Sequence, residues 1–300
     1  MPYKSRTRET QNLPNNQISI ISRSWALFWD ICSKRGRIMM PFTIMALIEL
    51  AAILAIFIFI QPPFTKFSSP IVLRFFGEQF LHYPFNLILT SQMFNYFQNI
   101  SAIIIGTFVM GMTISAVAEY IQTREFNFKA AAKKTFLKYI NLVIITLIVF
   151  FIMQFAQTVE KKILIKILMK GSSFLGIKAD SWKMIFLFGF LISAAFIQSL
   201  FVFAQAAVMI DNKNFIMAIF KNLVFVLTNL FPACFLVIAP LLAYIPIILL
   251  KSNLFELMKR SFPEISFVVL VMGVLLTLFI NLVITITSTK AYILIKEKRI

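Results

Sequence analysis

The feature that most constrains this chain is an almost unbroken apolar run from about Met39 to Ile60. A helix rises about 1.5 Å per residue, so a run of this length crosses a hydrocarbon core of ~30 Å. One carboxylate, Glu49, lies close to the middle of the run. Similar apolar runs recur along the chain, and the sequence therefore predicts an all-α membrane protein with several transmembrane helices.

Composition separates this chain from soluble proteins, because 60% of its residues are hydrophobic and only 14% are charged. Soluble domains carry charges on about a quarter of their residues. The formal net charge of +17 comes from cations that lie between apolar runs. There they set membrane orientation and contact anionic lipid head groups, which argues against nucleic acid as a partner. The two cysteines, Cys32 and Cys234, should lie at different depths and are too few for a structural zinc site. No cofactor is expected.

Six transmembrane spans are predicted in one domain, residues 16–300, at about 39–60, 97–120, 139–157, 184–210, 223–250 and 265–289. The segment 71–94 contains Arg74, Glu78 and His82, so we interpret it as a surface-lying or re-entrant piece. The basic segment 158–183 is expected to extend the third span out of the bilayer before a turn at 171–173.

Prolines predict kinks in the fifth span, which contains Pro232, Pro240 and Pro246. Each proline removes a backbone hydrogen bond that neighbouring groups must replace.

The polar N-terminal segment is too long and too rich in Asn, Arg and Ser for the n-region of a signal peptide. Residues 1–15 are expected to form a disordered cytoplasmic tail. From Asn16, apolar residues recur at helical spacing and include Trp25 and Trp29. This pattern favours an amphipathic helix in the membrane interface. Lys and Arg are more numerous on the side of the N-terminus, so both termini are predicted to be cytoplasmic in a bacterial inner (plasma) membrane.

Three basic segments share one pattern. Seven residues after Asn16, Asn127 and Asn214 comes a cation, and a small or polar residue follows it; the pairs are Arg23–Ser24, Lys134–Thr135 and Lys221–Asn222. Each segment precedes an odd-numbered span, which predicts three helical hairpins, each led by an amphipathic interfacial helix on the cytoplasmic side. The alternative is that any basic loop before a span has this appearance.

Four segments carry a family resemblance: SRSWALFWD, EYIQTREFNFKAAAKKTFLKYI, AVMIDNKNFIMAIFKNLVFVL and TKAYILIKEKR. They resemble the membrane domain attached to some glycerophosphodiester phosphodiesterases and its stand-alone, uncharacterised relatives among bacterial inner-membrane proteins. The resemblance implies a six-span bacterial membrane fold. It transfers no catalytic residue, because the soluble phosphodiesterase barrel has no counterpart in this chain.

Glu49 is the main candidate for a functional side chain, since a carboxylate at mid-membrane depth is costly unless it is paired, protonated or functional. It could serve proton coupling or cation binding, or it could form a structural hydrogen bond to an amide of another span. The amides considered as partners, and as polar contacts between helices, are Gln154, Gln198, Gln205, Asn229 and Asn281. The pairs Asp211 with Lys213 and Glu119 with Arg124 are interpreted as solvated charges at span ends.

Enzyme signatures are missing from the sequence, which has one histidine, His82, and neither a Walker loop nor a nucleophile elbow. The leading hypothesis is a non-enzymatic integral membrane protein that acts through lipid or protein contacts. Its partners would be membrane lipids with anionic head groups, contacted by Arg23, Lys134 and Lys221, and a further membrane protein. The alternative is a small-solute or ion transporter that uses Glu49, and an intramembrane enzyme ranks third.

Overall fold

A computed structural model describes residues 17–34, 36–169, 179–260 and 262–298. The structure is 90% helical, and the part of the chain that it describes contains no strand. The predicted tail at 1–15, the capping position Asn16 and the predicted turn at 171–173 lie outside the described residues.

Thirteen α-helices are described, and short irregular helices connect some of them. In chain order they are α1 (Gln17–Lys34), α2 (Met40–Ile60), α3 (Thr65–Phe75), α4 (Phe85–Ser101), α5 (Thr107–Thr123), α6 (Phe128–Met169), α7 (Ala179–Phe201), α8 (Ala204–Asp211), α9 (Phe215–Thr228), α10 (Leu230–Leu242), α11 (Ile245–Ser252), α12 (Leu254–Arg260) and α13 (Ile265–Glu297). Turns of 3-10 helix precede α2 and α4, at Gly36–Met39 and Glu78–Leu81, and a π-helical segment, Ala102–Gly106, joins α4 to α5.

Five helical stretches of the described chain are long and apolar enough to cross a membrane: Gly36–Ile60, Phe85–Thr123, Phe128–Ile163, Ile185–Asp211 and Ile265–Glu297. A sixth span is present if α9 and α10, which bend by 96° at Asn229, are one broken span. These helices carry exposed apolar side chains such as Phe136, Phe155 and Phe220, which suits a lipid surround. The fold is that of a polytopic membrane protein.

The second span begins at Phe85, twelve residues before the predicted start at Phe97. Pro84 occupies the N-cap of α4, where its missing N–H costs nothing. The polar residues Glu78 and His82 lie in the turn before this helix. The segment 71–94 is therefore the end of α3, a turn and the start of the second span.

The predicted fifth span, 223–250, is three helices in the structure. The chain turns by 96° between α9 and α10, and the Asn229 side chain donates a hydrogen bond to the Phe225 carbonyl at this turn. Pro246 lies in the first turn of α11, where a proline is tolerated, after a break at residues 243–244. Pro232 and Pro246 lie in the first turns of α10 and α11, so a proline follows each of the two breaks.

The centre of the molecule is formed by α5, α8 and the C-terminal half of α13, whose residues are buried on nearly every face. Small side chains dominate there, as in Ala204, Ala206 and Ala207 of α8. Gly111 of α5 lets α6 approach closely, because a Cβ atom at Gly111 would lie 2.7 Å from Leu142 Cδ1 and Thr135 Cγ2. Close approach at small residues is the usual way in which membrane helices pack.

The three polar positions of the repeated segments, Ser24, Thr135 and Asn222, are all 0% exposed. The helix that carries each one packs on a central helix: α1 on α13, α6 on α5 and α9 on α8. The leading segments nevertheless differ in form. Residues 128–169 are one continuous helix, whereas α1 and α9 are separated from the helices that follow them by breaks.

Candidate functional site

A cavity of about 330 Å³ lies between α4, α5, α6, α7, α8 and α13. Its wall has an apolar part, which includes Met110, Phe150 and Met153. The polar part consists of amides and hydroxyl groups contributed by five helices: Asn99, Thr146, Gln198, Gln205, Asn281, Thr285 and Ser288. A ligand pocket of a few hundred Å³ with an apolar wall and a few polar groups is the usual form of a small-molecule site.

Three of these amides, Asn99, Gln198 and Asn281, form no side-chain hydrogen bond within the described residues. Asn99 is exposed, and Gln198 and Asn281 are half-buried. Each primary amide offers two donor hydrogens and one acceptor oxygen. The cavity therefore presents unused hydrogen-bonding groups from α4, α7 and α13, and the described residues that line it include no acid, base or thiol.

Thr146 of α6 holds three helices together at the edge of the cavity. Its hydroxyl accepts hydrogen bonds from Thr107 Oγ1 at 3.0 Å and from Gln205 Nε2 at 3.1 Å. It donates its own hydrogen to the Leu142 carbonyl at 3.1 Å. A hydroxyl has one hydrogen to donate and two lone pairs that accept, so the Thr146 hydroxyl has no hydrogen-bonding capacity left for a ligand. Gln205, unlike the three free amides, is thus a structural contact between α8 and α6.

The backbone is irregular on two sides of the cavity. The π-helical segment Ala102–Gly106 contributes Ala102 and Ile103 to the wall, and the Tyr139 hydroxyl donates to the Ile104 carbonyl at 2.9 Å. Single π turns within α-helices are rare and are frequent at functional sites.

The second irregularity is the break between α7 and α8, which contributes Phe201 and Val202 to the wall. The Asn222 side chain of α9 provides hydrogen-bond partners for the backbone groups that this break leaves unpaired. Its Oδ1 accepts the Phe203 N–H at 3.0 Å, and its Nδ2 donates to the Leu200 carbonyl. Irregular backbone at membrane depth needs such partners, because lipid supplies none.

Glu49 does not line the cavity. It is 1% exposed on α2, and the Gln98 amide of α4 donates to its Oε2 at 3.2 Å. The expected partners were other amides. Of these, Gln205 binds Thr146, and Asn229 binds within its own turn. The side chain of Gln154 forms no hydrogen bond within the described residues and lies outside the cavity wall.

An ion-pair cluster that the sequence did not predict joins the C-terminal ends of α8 and α13 to the middle of α9. The side chain of Asp211 is 5% exposed and is bound by Lys221 Nζ, by Lys296 Nζ at 2.7 Å and by the Tyr292 hydroxyl at 2.5 Å. Asp211 is therefore a buried anion and does not form a solvated pair with Lys213. Lys221, predicted to contact lipid head groups, is bound to Asp211 and lies over the rings of Phe225 and Tyr292.

A second charged cluster lies at the C-terminal end of α5. The Asp30 carboxylate binds Lys34 Nζ at 2.8 Å and the Tyr120 hydroxyl at 2.9 Å, and Arg124 lies 3.6 Å away. The hydrogen bonds from Lys34 and Tyr120 hold the pKa of Asp30 below its usual value of 3.8. Arg124 thus pairs with Asp30, whereas Glu119, its expected partner, accepts the Asn127 N–H.

Comparison of the chain with protein-family models, curated proteins and solved structures finds no match. The class of protein is therefore defined by the fold and by the site: a polytopic α-helical membrane protein with a partly polar cavity between its helices. Of the cavity residues, Gln198, Gln205 and Asn281 were candidates from the sequence. Asn99 was missed, although a polar residue inside a predicted span was the signal that could have found it.

Proposed function

We propose that this protein is a non-enzymatic carrier that binds a small, uncharged polar solute in the cavity between its helices and passes it across a membrane. The observation that carries the proposal is the convergence on one cavity of three amides, Asn99, Gln198 and Asn281, that form no side-chain hydrogen bond within the described residues. Such amides at membrane depth are costly unless they meet a ligand or water, and each can bind hydroxyl, amide or carbonyl groups.

The chemistry of the wall supports an uncharged solute. Burying an ion without a partner costs far more than burying a neutral polar group. The described lining residues include no charged side chain that could compensate an ion. The composition of the wall also supports a binding role over catalysis, because amides, and hydroxyl groups that donate to carbonyls of their own helices, are poor acids, bases and nucleophiles.

The two backbone irregularities support movement of the solute. Many secondary transporters place discontinuous helices around the substrate at mid-membrane depth. Here the π-helical segment and the break between α7 and α8 both border the cavity. Glu49 has no part in this proposal, because its partner is Gln98 and it lies outside the wall.

The experiment is solute uptake into vesicles that contain the purified protein, measured by stopped-flow light scattering with glycerol, urea and a hexose. Potassium glutamate serves as the charged comparison. We expect at least one neutral solute to enter faster than into protein-free vesicles. Gln198→Leu and Asn281→Leu should each lower that rate about five-fold, the equivalent of one net hydrogen bond of about 1 kcal/mol.

Gln154→Leu is the matched control, since it removes the same amide from a membrane helix outside the cavity wall. It should leave the uptake rate unchanged. Equal losses in Gln154→Leu and Gln198→Leu, or equal entry of neutral and charged solutes, would contradict the proposal.

A further inference from the structure

Helix α13 contributes three polar residues to the cavity wall, more than any other described helix. They are Asn281, Thr285 and Ser288. Their i, i+4 and i+7 spacing places them on one face of the helix, and we refer to them as the polar stripe. Thr285 is 6% exposed and Ser288 is 5% exposed, so both hydroxyl groups lie inside the protein.

The two hydroxyl groups of the polar stripe are left only to accept hydrogen bonds from a ligand. Thr285 Oγ1 donates its hydrogen to the Asn281 carbonyl at 2.6 Å, and Ser288 Oγ donates its hydrogen to the Thr285 carbonyl at 3.3 Å. Each oxygen keeps two lone pairs, and no group of the described residues donates to them. A solute on this side of the cavity therefore needs hydrogen-bond donors, because a buried oxygen that meets no donor costs free energy.

The face of α6 that lines the cavity offers a solute no hydrogen bond. It consists of Ile145, Thr146, Val149, Phe150 and Met153. The Thr146 hydroxyl is already bound to Thr107, to Gln205 and to its own helix. Helices α6 and α13 each pack along α5, and the cavity lies between them. The cavity is therefore polar on its α13 side and apolar on its α6 side.

Hydroxyl groups of a solute match the polar groups of this wall. The amides of Gln198 and Asn281 form no side-chain hydrogen bond within the described residues and can donate, whereas the hydroxyl groups of the polar stripe only accept. A solute hydroxyl donates one hydrogen and accepts with two lone pairs, so it can bind either partner. The volume of about 330 Å³ equals that of about eleven waters in the liquid, at ~30 Å³ each, which leaves room for a molecule of the size of a sugar.

We propose that the solute is a polyhydroxylated compound, a sugar or a sugar alcohol. Its hydroxyl groups donate to Thr285 and Ser288, and its C–H surface packs on Val149, Phe150 and Met153. This inference rests on the proposed function and names its substrate class. Thr285 and Ser288 are specificity-determining residues, because a solute without donors leaves their buried oxygens unpaired.

The first experiment measures binding by saturation-transfer NMR titration of the protein in phosphatidylcholine nanodiscs, whose head groups carry no sugar or polyol. The ligands are glycerol, xylitol and glucose, with urea and dimethyl sulfoxide as comparisons. Urea has donors but no C–H surface, and dimethyl sulfoxide has C–H surface but no donor. We expect at least one polyhydroxylated ligand to bind about five-fold more tightly than both comparisons, the effect of one net hydrogen bond.

The polar stripe is tested with Thr285→Val, which removes the hydroxyl group and nearly keeps the shape of the side chain. The affinity for that polyhydroxylated ligand should fall about five-fold, and Ser288→Ala should have a similar effect. The matched control is Thr277→Val on the same helix. Thr277 also donates to its own helix, to the Gly273 carbonyl at 2.7 Å, but lies outside the cavity wall. The control should bind like wild type, and dimethyl sulfoxide should bind equally to all of these variants.

Equal losses of affinity in Thr285→Val and Thr277→Val would overturn the inference. Polyhydroxylated ligands that bind no more tightly than dimethyl sulfoxide would also overturn it. So would a loss for dimethyl sulfoxide in Thr285→Val as large as that for glucose, because it would show a distorted cavity and not a lost donor contact.

Uptake into vesicles separates this inference from the proposed function. Binding that depends on Thr285 without faster uptake would support the site and contradict the carrier. Faster uptake that is equal in wild type, Thr285→Val and Thr277→Val would support the carrier and overturn the recognition of donors by the polar stripe.

Discussion

The Gln98 amide donates a hydrogen bond to Glu49 Oε2 at 3.2 Å, which links α2 to α4 at a carboxyl group that is 1% exposed. Glu49→Gln keeps an acceptor for this donor, whereas Glu49→Leu leaves Gln98 without one. We expect Glu49→Leu to lower the free energy of unfolding by about 1–3 kcal/mol and Glu49→Gln to change it much less. Thermal unfolding in detergent measures both. Uptake should be unchanged in Glu49→Gln, and its loss in a stable variant would place Glu49 in the transport mechanism.

Asn222 should be needed for the integrity of the break between α7 and α8. Asn222→Leu leaves the buried Phe203 N–H and the Leu200 carbonyl without their partner, so we expect a loss of about 1–3 kcal/mol in the free energy of unfolding. Ser24→Ala is the control at the equivalent repeat position. Ser24 donates only to the Ile20 carbonyl of its own helix, and its removal should cost far less. Equal losses in both variants would refute this role of Asn222.

Gly111 sets the distance between α5 and α6. Gly111→Ala would place a methyl group 2.7 Å from Leu142 and Thr135, and we expect destabilisation of about 1–3 kcal/mol. Gly189→Ala is the control, because a Cβ atom there has nothing within 4 Å. It should be neutral or slightly stabilising, since alanine favours a helix. Melting temperatures of the two variants give the comparison, and an unperturbed Gly111→Ala would contradict the close packing.

The Asp30 cluster predicts a loss of stability in acid. The pKa of Asp30 is lower in the folded protein than its ordinary value of 3.8, chiefly because of hydrogen bonds from Lys34 and Tyr120. Its stabilising effect is therefore complete above the unfolded pKa and disappears as the pH falls through the lower, folded pKa. The difference in melting temperature between wild type and Asp30→Asn should be constant from about pH 5 to pH 7 and shrink below about pH 4. A difference that persists unchanged at about pH 2.5 would disprove it.

The spans themselves were predictable, because long apolar runs have few alternatives to crossing a membrane. The ends of the spans and the bends within them were harder to predict. The segment 71–94 was predicted to lie on the surface or to re-enter the membrane, yet its second half begins the second span after Pro84. The 96° turn falls at Asn229, three residues before Pro232, the first proline of the predicted fifth span. A proline restrains backbone geometry but does not determine which side of it is helical.

The partners of polar side chains could be predicted only as a class. Glu49 was expected to meet an amide of another span, but the neighbour that supplies it, Gln98, follows from how α2 and α4 pack. Likewise the basic segment around Lys221 predicts contact with lipid head groups. The ion pair between Lys221 and Asp211 arises because α8 and α9 pack together, which the sequence does not indicate. The cavity depends on contacts among several helices, so a single sequence indicates its amides but not their convergence.

The packing of α1 against α13 has a consequence for how the chain is made. Ile20 shares a core cluster with Ala291 and Tyr292, and the ring of Phe28 lies 6.2 Å from that of Phe279. Because α1 precedes α13 by most of the described residues, α1 waits for their synthesis before its main partner exists. At about 5–20 residues per second, that wait lasts tens of seconds, during which the apolar face of α1 must be shielded by lipid or by the insertion machinery. A chain that stalls before α13 would leave α1 without its principal partner.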